Sequence, residues 1–123
     1  MTKKRILVLD DEVSVCESIA IILSGYDVHY VLSTDACLAQ MEQNPLPDLM
    51  IIDYKIGLDD GITFYTDTLV KKFGKIPAIL ISGYVGQKEQ PDEDFRLASI
   101  FIRLVQKPFD IFKFKSIVGD IFK

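Results

Sequence analysis

The run Leu49-Met50-Ile51-Ile52 constrains this chain more than any other stretch. It is entered through Pro45-Leu46-Pro47-Asp48 and stops on an acid, Asp53. Uninterrupted apolar residues of this length, bounded by turn formers, describe a strand covered on both faces, the habit of the interior of a parallel sheet. In open α/β sheets the ligand crevice lies just outside the carboxyl ends of the strands. The most buried strand therefore carries a carboxylate to the place where ligands bind.

Other segments supply the rest of such a sheet. Arg5-Ile6-Leu7-Val8-Leu9 is a second apolar run, ending on Asp10-Asp11-Glu12. A helix follows, with Val13, Cys16, Ala20 and Leu23 at helical spacing, Ile19 and Ile22 widening the stripe, and Gly25 as its expected C-terminal stop. Val28 to Leu32 reads as a strand, and Ser33-Thr34-Asp35 as the cap of a helix reaching about Asn44. After Asp53 comes a turn-rich loop, Lys55-Ile56-Gly57-Leu58-Asp59-Asp60-Gly61, with Asp59 and Asp60 as turn residues, then a helix from Ile62 to Phe73 closed by Gly74. Pro77-Ala78-Ile79-Leu80-Ile81 is a strand ending on Ser82-Gly83, and Ile100 to Val105 another, ending on Gln106-Lys107-Pro108. Asp110 caps a last helix with Ile111, Phe114, Ile117, Val118 and Ile121 on one side and Phe112 and Phe122 off that stripe, where they either meet a partner or join the core. Such alternation predicts an α/β fold: one doubly wound domain over residues 1–123 with a five-stranded parallel sheet.

Composition narrows the partners. A net charge of −4, with Lys3-Lys4-Arg5 as the only basic cluster, predicts no direct nucleic-acid binding, because phosphate contacts need grouped Lys and Arg. No apolar run approaches the roughly 20 residues of a membrane span, so no membrane partner is expected. Cys16 and Cys37 fall on apolar helix positions and read as reduced core thiols, which suits a cytoplasmic protein. His29, the sole histidine, sits mid-strand and reads as a packed or solvated side chain.

Four of these strands finish on polar groups: Asp10-Asp11, Asp53, Ser82 and Lys107. In a doubly wound sheet such ends lie side by side. Carboxylates held close together repel, and a cation keeps them ionised. Oxygen ligands with open positions suit Mg²⁺, which is commonly shared with a phosphate. Lys107 adds a point charge for a phosphate oxygen, and the Ser82 hydroxyl can donate to another. Those groups around one carboxylate fit phosphoryl transfer onto Asp53.

The set Asp10-Asp11, Asp53, Ser82-Gly83-Tyr84 and Lys107-Pro108-Phe109, with Asp60-Gly61 before the third helix, resembles the receiver domain of two-component response regulators. That resemblance implies a flavodoxin-like strand order 2-1-3-4-5 with five helices. It implies that Asp53 is the phosphoacceptor for a sensor histidine kinase or a histidine phosphotransfer protein. Asp11, Asp53 and the Lys55 backbone carbonyl would bind Mg²⁺, with Asp10 in the outer shell. Ser82 and Lys107 would hold phosphate oxygens, with a cis Lys107-Pro108 peptide. The domain would then be a switch rather than an enzyme, acting on an output protein through protein contacts, with a homodimer through the face of the fourth helix, fifth strand and fifth helix as one mode.

Departures from the family pattern fall at the output side. Where similar proteins carry Tyr or Phe three residues before the lysine, this chain has Leu104, so Ser82 and Leu104 are the switch positions and the ring is missing. Gly57 stands where a Pro is usual, the Pro91 segment is unusual, and the span from Ser82 to Lys107 is long. Lys55 and Tyr84, two residues after Asp53 and Ser82, are expected to tune dephosphorylation toward a long-lived acyl phosphate. Two other functions compete. A phosphatase of the haloacid-dehalogenase type needs Asp-x-Asp after its first strand, and Leu9-Asp10-Asp11-Glu12-Val13 does not supply it. A receiver-like scaffold indifferent to phosphate is kept in play by Leu104.

Overall fold

In a computed structural model, which describes residues 3–83 and 97–123, the two long apolar runs are adjacent strands. They are β1 (Arg5–Leu9) and β3 (Leu49–Asp53), paired in parallel with Leu9 opposite Ile52. With β2 (Asp27–Val31), β4 (Ala78–Ser82) and β5 (Arg103–Gln106) they make a five-stranded parallel sheet of order β2-β1-β3-β4-β5. The apolar β3 occupies its centre, as full burial of all its residues requires.

Strand alternation divides the core into two layers. Leu7, Leu9, Met50, Ile52 and Leu80 face one side, where they meet Cys37 and Met41 of α2 (Thr34–Gln43). The third helical stretch and Leu97 and Phe101 cover the same layer. Ile6, Val8, Leu49, Ile51, Ile79 and Ile81 face the other side, against α1 (Val13–Ile22) and α5 (Ile111–Ile121). A fully buried aliphatic side chain contributes about 1.5–3 kcal/mol, so both layers hold the sheet rather than one. The doubly wound expectation is met, with α4 visible as the helical residues 97–100.

Several local expectations change. Gly25 is not a left-handed cap: α1 ends at Ile22 with Leu23 at its C-cap, and only Gly57 and Gly74 have positive φ among the described residues. The third helix starts at Gly61, capped by Asp60, and is not uniform. It is α-helical over Gly61–Thr63 and Val70–Phe73 and π-helical over Phe64–Leu69, a widened stretch that buries Tyr65 and Leu69. Gly74, at φ +85°, closes it as expected. Ile100 to Ile102 are not strand: the Phe101 amide donates to the Leu97 carbonyl at 2.8 Å in a helical turn, and β5 begins only at Arg103. Leu97, Ile100 and Phe101 are spaced as one face of a helix, and that face packs on the sheet.

The last helix also departs from its predicted stripe. Phe114 and Val118 are buried as expected, but Ile111 in its first turn is exposed. Phe122 is packed with its ring 5.4 Å from that of Tyr26, whereas Phe112 stands 82% exposed. Cys16 and Cys37 are both free and buried. Burial pushes their thiols up, to about 11 and about 12, so both stay protonated at neutral pH. Among the described residues no helix is long and apolar enough to cross a membrane.

Candidate functional site at the carboxyl edge of the sheet

Asp53 is the last residue of β3 and keeps that strand's burial, with 6% of its surface exposed. Asp10, just past β1, is fully buried. Its Oδ1 accepts from the Glu12 amide at 2.9 Å, and its Oδ2 accepts from Lys107 Nζ at 2.9 Å. The same ammonium lies 3.4 Å from Asp53 Oδ2 and 3.4 Å from Glu12 Oε1. One lysine from beyond β5 thus serves three carboxylates from beyond β1 and at the end of β3. The Lys107 amide donates to the Ser82 carbonyl at 3.0 Å, which extends the β4–β5 pairing past Gln106 and fixes where that lysine emerges. The Lys107-Pro108 peptide is cis, as the resemblance implied.

Charge balance at this edge leans negative. Asp10, Asp11, Glu12 and Asp53 each present a ligand atom within 4.8 Å of the others. Burial, then the negative charge of Asp10, push the Asp53 carboxyl up to about 6, against the pull of Lys107. For Lys107 burial acts downward, but its bonds to Asp10 and its nearness to Asp53 and Glu12 outweigh this and raise its pKa. Oxygen donors gathered this closely around one raised carboxyl are a set that suits a hard divalent cation, so the residues fit one.

The loop leaving β3 folds back over this cluster. Lys55–Ile56 and Asp59–Asp60 form a two-residue antiparallel ribbon. Asp11 Oδ2 accepts from the Gly57 amide at 2.8 Å, reaching from the β1 side to the tip of the ribbon. Gly57 has φ +60°, a conformation that suits glycine. At the ribbon's base the Gly61 amide donates to the Tyr54 carbonyl at 2.6 Å. A Cβ on Gly61 would stand 2.0 Å from the Asp53 carbonyl oxygen, so only glycine fits there.

A fold with acids and a lysine gathered at the carboxyl ends of β1, β3 and β5 narrows the families to consider, and the comparison with known families decides among them: the response regulator receiver domain matches residues 6–118. The chain belongs to that family. Solved receiver domains share its fold. That of Francisella response regulator 1452 is 24% identical with a TM-score of 0.80, covering 97% of this chain and 96% of that one. The non-phosphorylated HemR receiver domain from Leptospira biflexa is 20% identical with a TM-score of 0.81, over 97% and 94%. In sequence, a protein-glutamate methylesterase/protein-glutamine glutaminase of Bradyrhizobium diazoefficiens is 32% identical over 83 residues, which are 65% of this chain. The match spans only 22% of that relative's length.

Of the receiver residues expected from sequence, Asp10, Asp11, Asp53 and Lys107 are brought together. Ser82 ends β4 beside them, buried, and no buried side-chain polar atom among the described residues lacks a partner. Lys55 opens the ribbon two residues beyond Asp53, paired with Asp60. Leu104 sits inside β5 opposite Leu80 and packs on the layer that holds Leu97 and Phe101. Tyr84 and the Pro91 segment lie outside the described residues. Glu12 is the addition: it is the N-cap of α1 without a side-chain cap bond, and its carboxylate turns to Lys107 instead. Its position directly after Asp10-Asp11 was the available signal. The Asp11 carboxylate holds the Gly57 amide.

Proposed function

We propose that Asp53 accepts a phosphoryl group from the phosphohistidine of a sensor kinase or histidine phosphotransfer protein, and that the chain signals the change to an output protein. The observation that carries this is the Asp53 carboxylate at the end of the central strand, with Lys107 Nζ 3.4 Å from it and three further acids around it. An Asp53 oxygen attacks phosphorus, the P–N bond breaks, and its electron pair stays on the imidazole nitrogen. Deprotonated Asp53 is required, and above a pH of about 6 that form prevails.

Asp11, Asp53 and the Lys55 carbonyl are the residues that would hold Mg²⁺, with Asp10 in the outer shell and Glu12 at the rim. When bound, Mg²⁺ supplies positive charge to the carboxylates and to the phosphoryl oxygens. Lys107, which lies between Asp10 and Asp53, would turn from Asp53 to a phosphoryl oxygen while keeping Asp10, and Ser82 would donate to another. Lys55 and Tyr84 set the lifetime of the acyl phosphate. The chain is a cytoplasmic switch, and the exposed Ile102, Ile111 and Phe112 give the face of α4, β5 and α5 an apolar surface for an output protein or a second copy. Leu104 favours a second reading, a scaffold indifferent to phosphate, because it is packed and has no ring to swing.

Intact mass after incubation with Mg²⁺ and a small-molecule phosphodonor separates the two, with a chelator control and Asp53→Ala alongside. A Mg²⁺-dependent gain of one base-labile phosphoryl group, absent in the variant, is expected. No gain from either the donor or a cognate kinase overturns the phosphoacceptor reading.

A further inference from the structure

The ribbon beyond Asp53 is short: two residues pair with two. Two-residue antiparallel pairs are marginal in water. Gly57 leaves the tip without a side chain, and Leu58 is fully exposed. Ile56 is buried on the core and Gly61 is wedged at the base, so the inner end is fixed. The outer end is held by two side chains from other elements. Asp11 Oδ2 accepts from the Gly57 amide at 2.8 Å, and Thr34 Oγ1, in the first turn of α2, donates to Asp59 Oδ2 at 2.9 Å. These two tethers differ in one respect. Asp11 belongs to the acid cluster, so its carboxylate would be shared between the Gly57 amide and a bound cation. Thr34 and Asp59 lie outside that cluster.

We propose that Thr34 and Asp59 are a positioning pair: their hydrogen bond holds the Lys55–Asp60 loop closed over the acid cluster whether or not a cation has engaged Asp11. The loop that offers the Lys55 carbonyl is then preorganised from α2, a role that the rigid ring of a proline cannot fill where the chain has Gly57. This rests on the Mg²⁺-binding reading above for its effect on affinity, but not for its effect on the loop.

The test compares the full chain with Thr34→Val, which removes the donor and keeps the shape, and Thr34→Ser, which restores the donor. Two quantities are read: Mg²⁺ affinity by calorimetric titration, and amide hydrogen exchange at Gly57 and Leu58 in metal-free buffer. A net hydrogen bond of ordinary strength predicts that Thr34→Val weakens Mg²⁺ binding and speeds Gly57 exchange by about three- to tenfold, with Thr34→Ser near the parent and all three variants folding cooperatively, the thermal midpoint of Thr34→Val lower by no more than the few degrees one such bond accounts for. Equal exchange and equal affinity in Thr34→Val and the parent overturn the pair's role. If the parent binds no Mg²⁺, the proposed function fails instead, and the exchange rates alone decide the tether.

Discussion

Lys107 Nζ lies 2.9 Å from Asp10 Oδ2 and 3.4 Å from Asp53 Oδ2, so one ammonium joins the carboxylates that end two neighbouring strands. Asp10 is fully buried, which makes this cation its principal compensation. Lys107→Met leaves Asp10 facing Asp53 and Glu12 with no ion-pair partner among the described residues. Removing one partner of a buried pair typically costs about 3–5 kcal/mol. With Lys107 partly exposed, a loss of about 2–3 kcal/mol is expected at pH 7.5 in chelator, read as a lower urea midpoint. Millimolar Mg²⁺ should recover part of it. A variant as stable as the parent in chelator would show that the pair does not hold this edge.

Asp53 carries a pH signature. Its folded carboxyl, raised to about 6 from an ordinary 3.8, binds its proton more tightly than the unfolded chain does. The group therefore favours the folded state below about pH 4, and that contribution is lost as pH rises through about 6. Asp53→Asn removes the effect. Without Mg²⁺ the variant should gain on the parent as pH rises from 4.5 to 7.5, by up to about 2 kcal/mol, measured by chemical denaturation. A difference that stays flat across this range excludes the shift.

Two glycines give opposite expectations. Gly61→Ala sets a methyl against the Asp53 carbonyl oxygen at 2.0 Å, and backbone cannot retreat as a side-chain tip can. A loss of at least about 2 kcal/mol is expected, with slower phosphoryl uptake as the ribbon shifts. Gly25→Ala meets nothing within 4 Å and has no left-handed backbone to satisfy, so it should be neutral or stabilising by up to about 1 kcal/mol. Parallel denaturation curves decide both, and a neutral Gly61→Ala would contradict the close approach.

Tyr65 separates stability from chemistry. Its hydroxyl, buried at the start of the π-helical stretch, donates to the Ile76 carbonyl just before β4, and burial raises its pKa. Tyr65→Phe removes a buried donor while the ring keeps its contact with Phe101, 5.1 Å away. A loss of about 1–2 kcal/mol is expected, with phosphoryl uptake unchanged. A large fall in uptake would tie this layer to the reaction.

The parts legible in the sequence are those where burial leaves one reading. β1, β3 and β4 are apolar on both faces and admit little but interior strands. The edge strand β2 is only half buried, so its bounds came out one residue late. Ile100-Phe101-Ile102 misled because a short apolar run fits the end of a buried helix as well as a strand. At the site, Asp10, Asp11, Asp53 and Lys107 were legible because strand ends converge by topology alone. Glu12 looked like an ordinary residue at a helix start, and the bond from Thr34 to Asp59 spans 25 positions that no periodicity links.

The wedge of Gly61 against Asp53 also governs what lengths this region tolerates. The chain leaves Asp53, turns at Gly57, and returns to within contact of the residue it left, with the Gly61 amide on the Tyr54 carbonyl closing the circuit. Both ends of the excursion are anchored to the same point of the central strand. Residues gained or lost between them can be absorbed only at the outward tip around Gly57-Leu58, where the Leu58 side chain is exposed and the hold is the bond from the Gly57 amide to Asp11. Diversity in loop length is thereby kept at arm's length from the acceptor carboxylate, whose place in the sheet stays the same whatever the tip becomes.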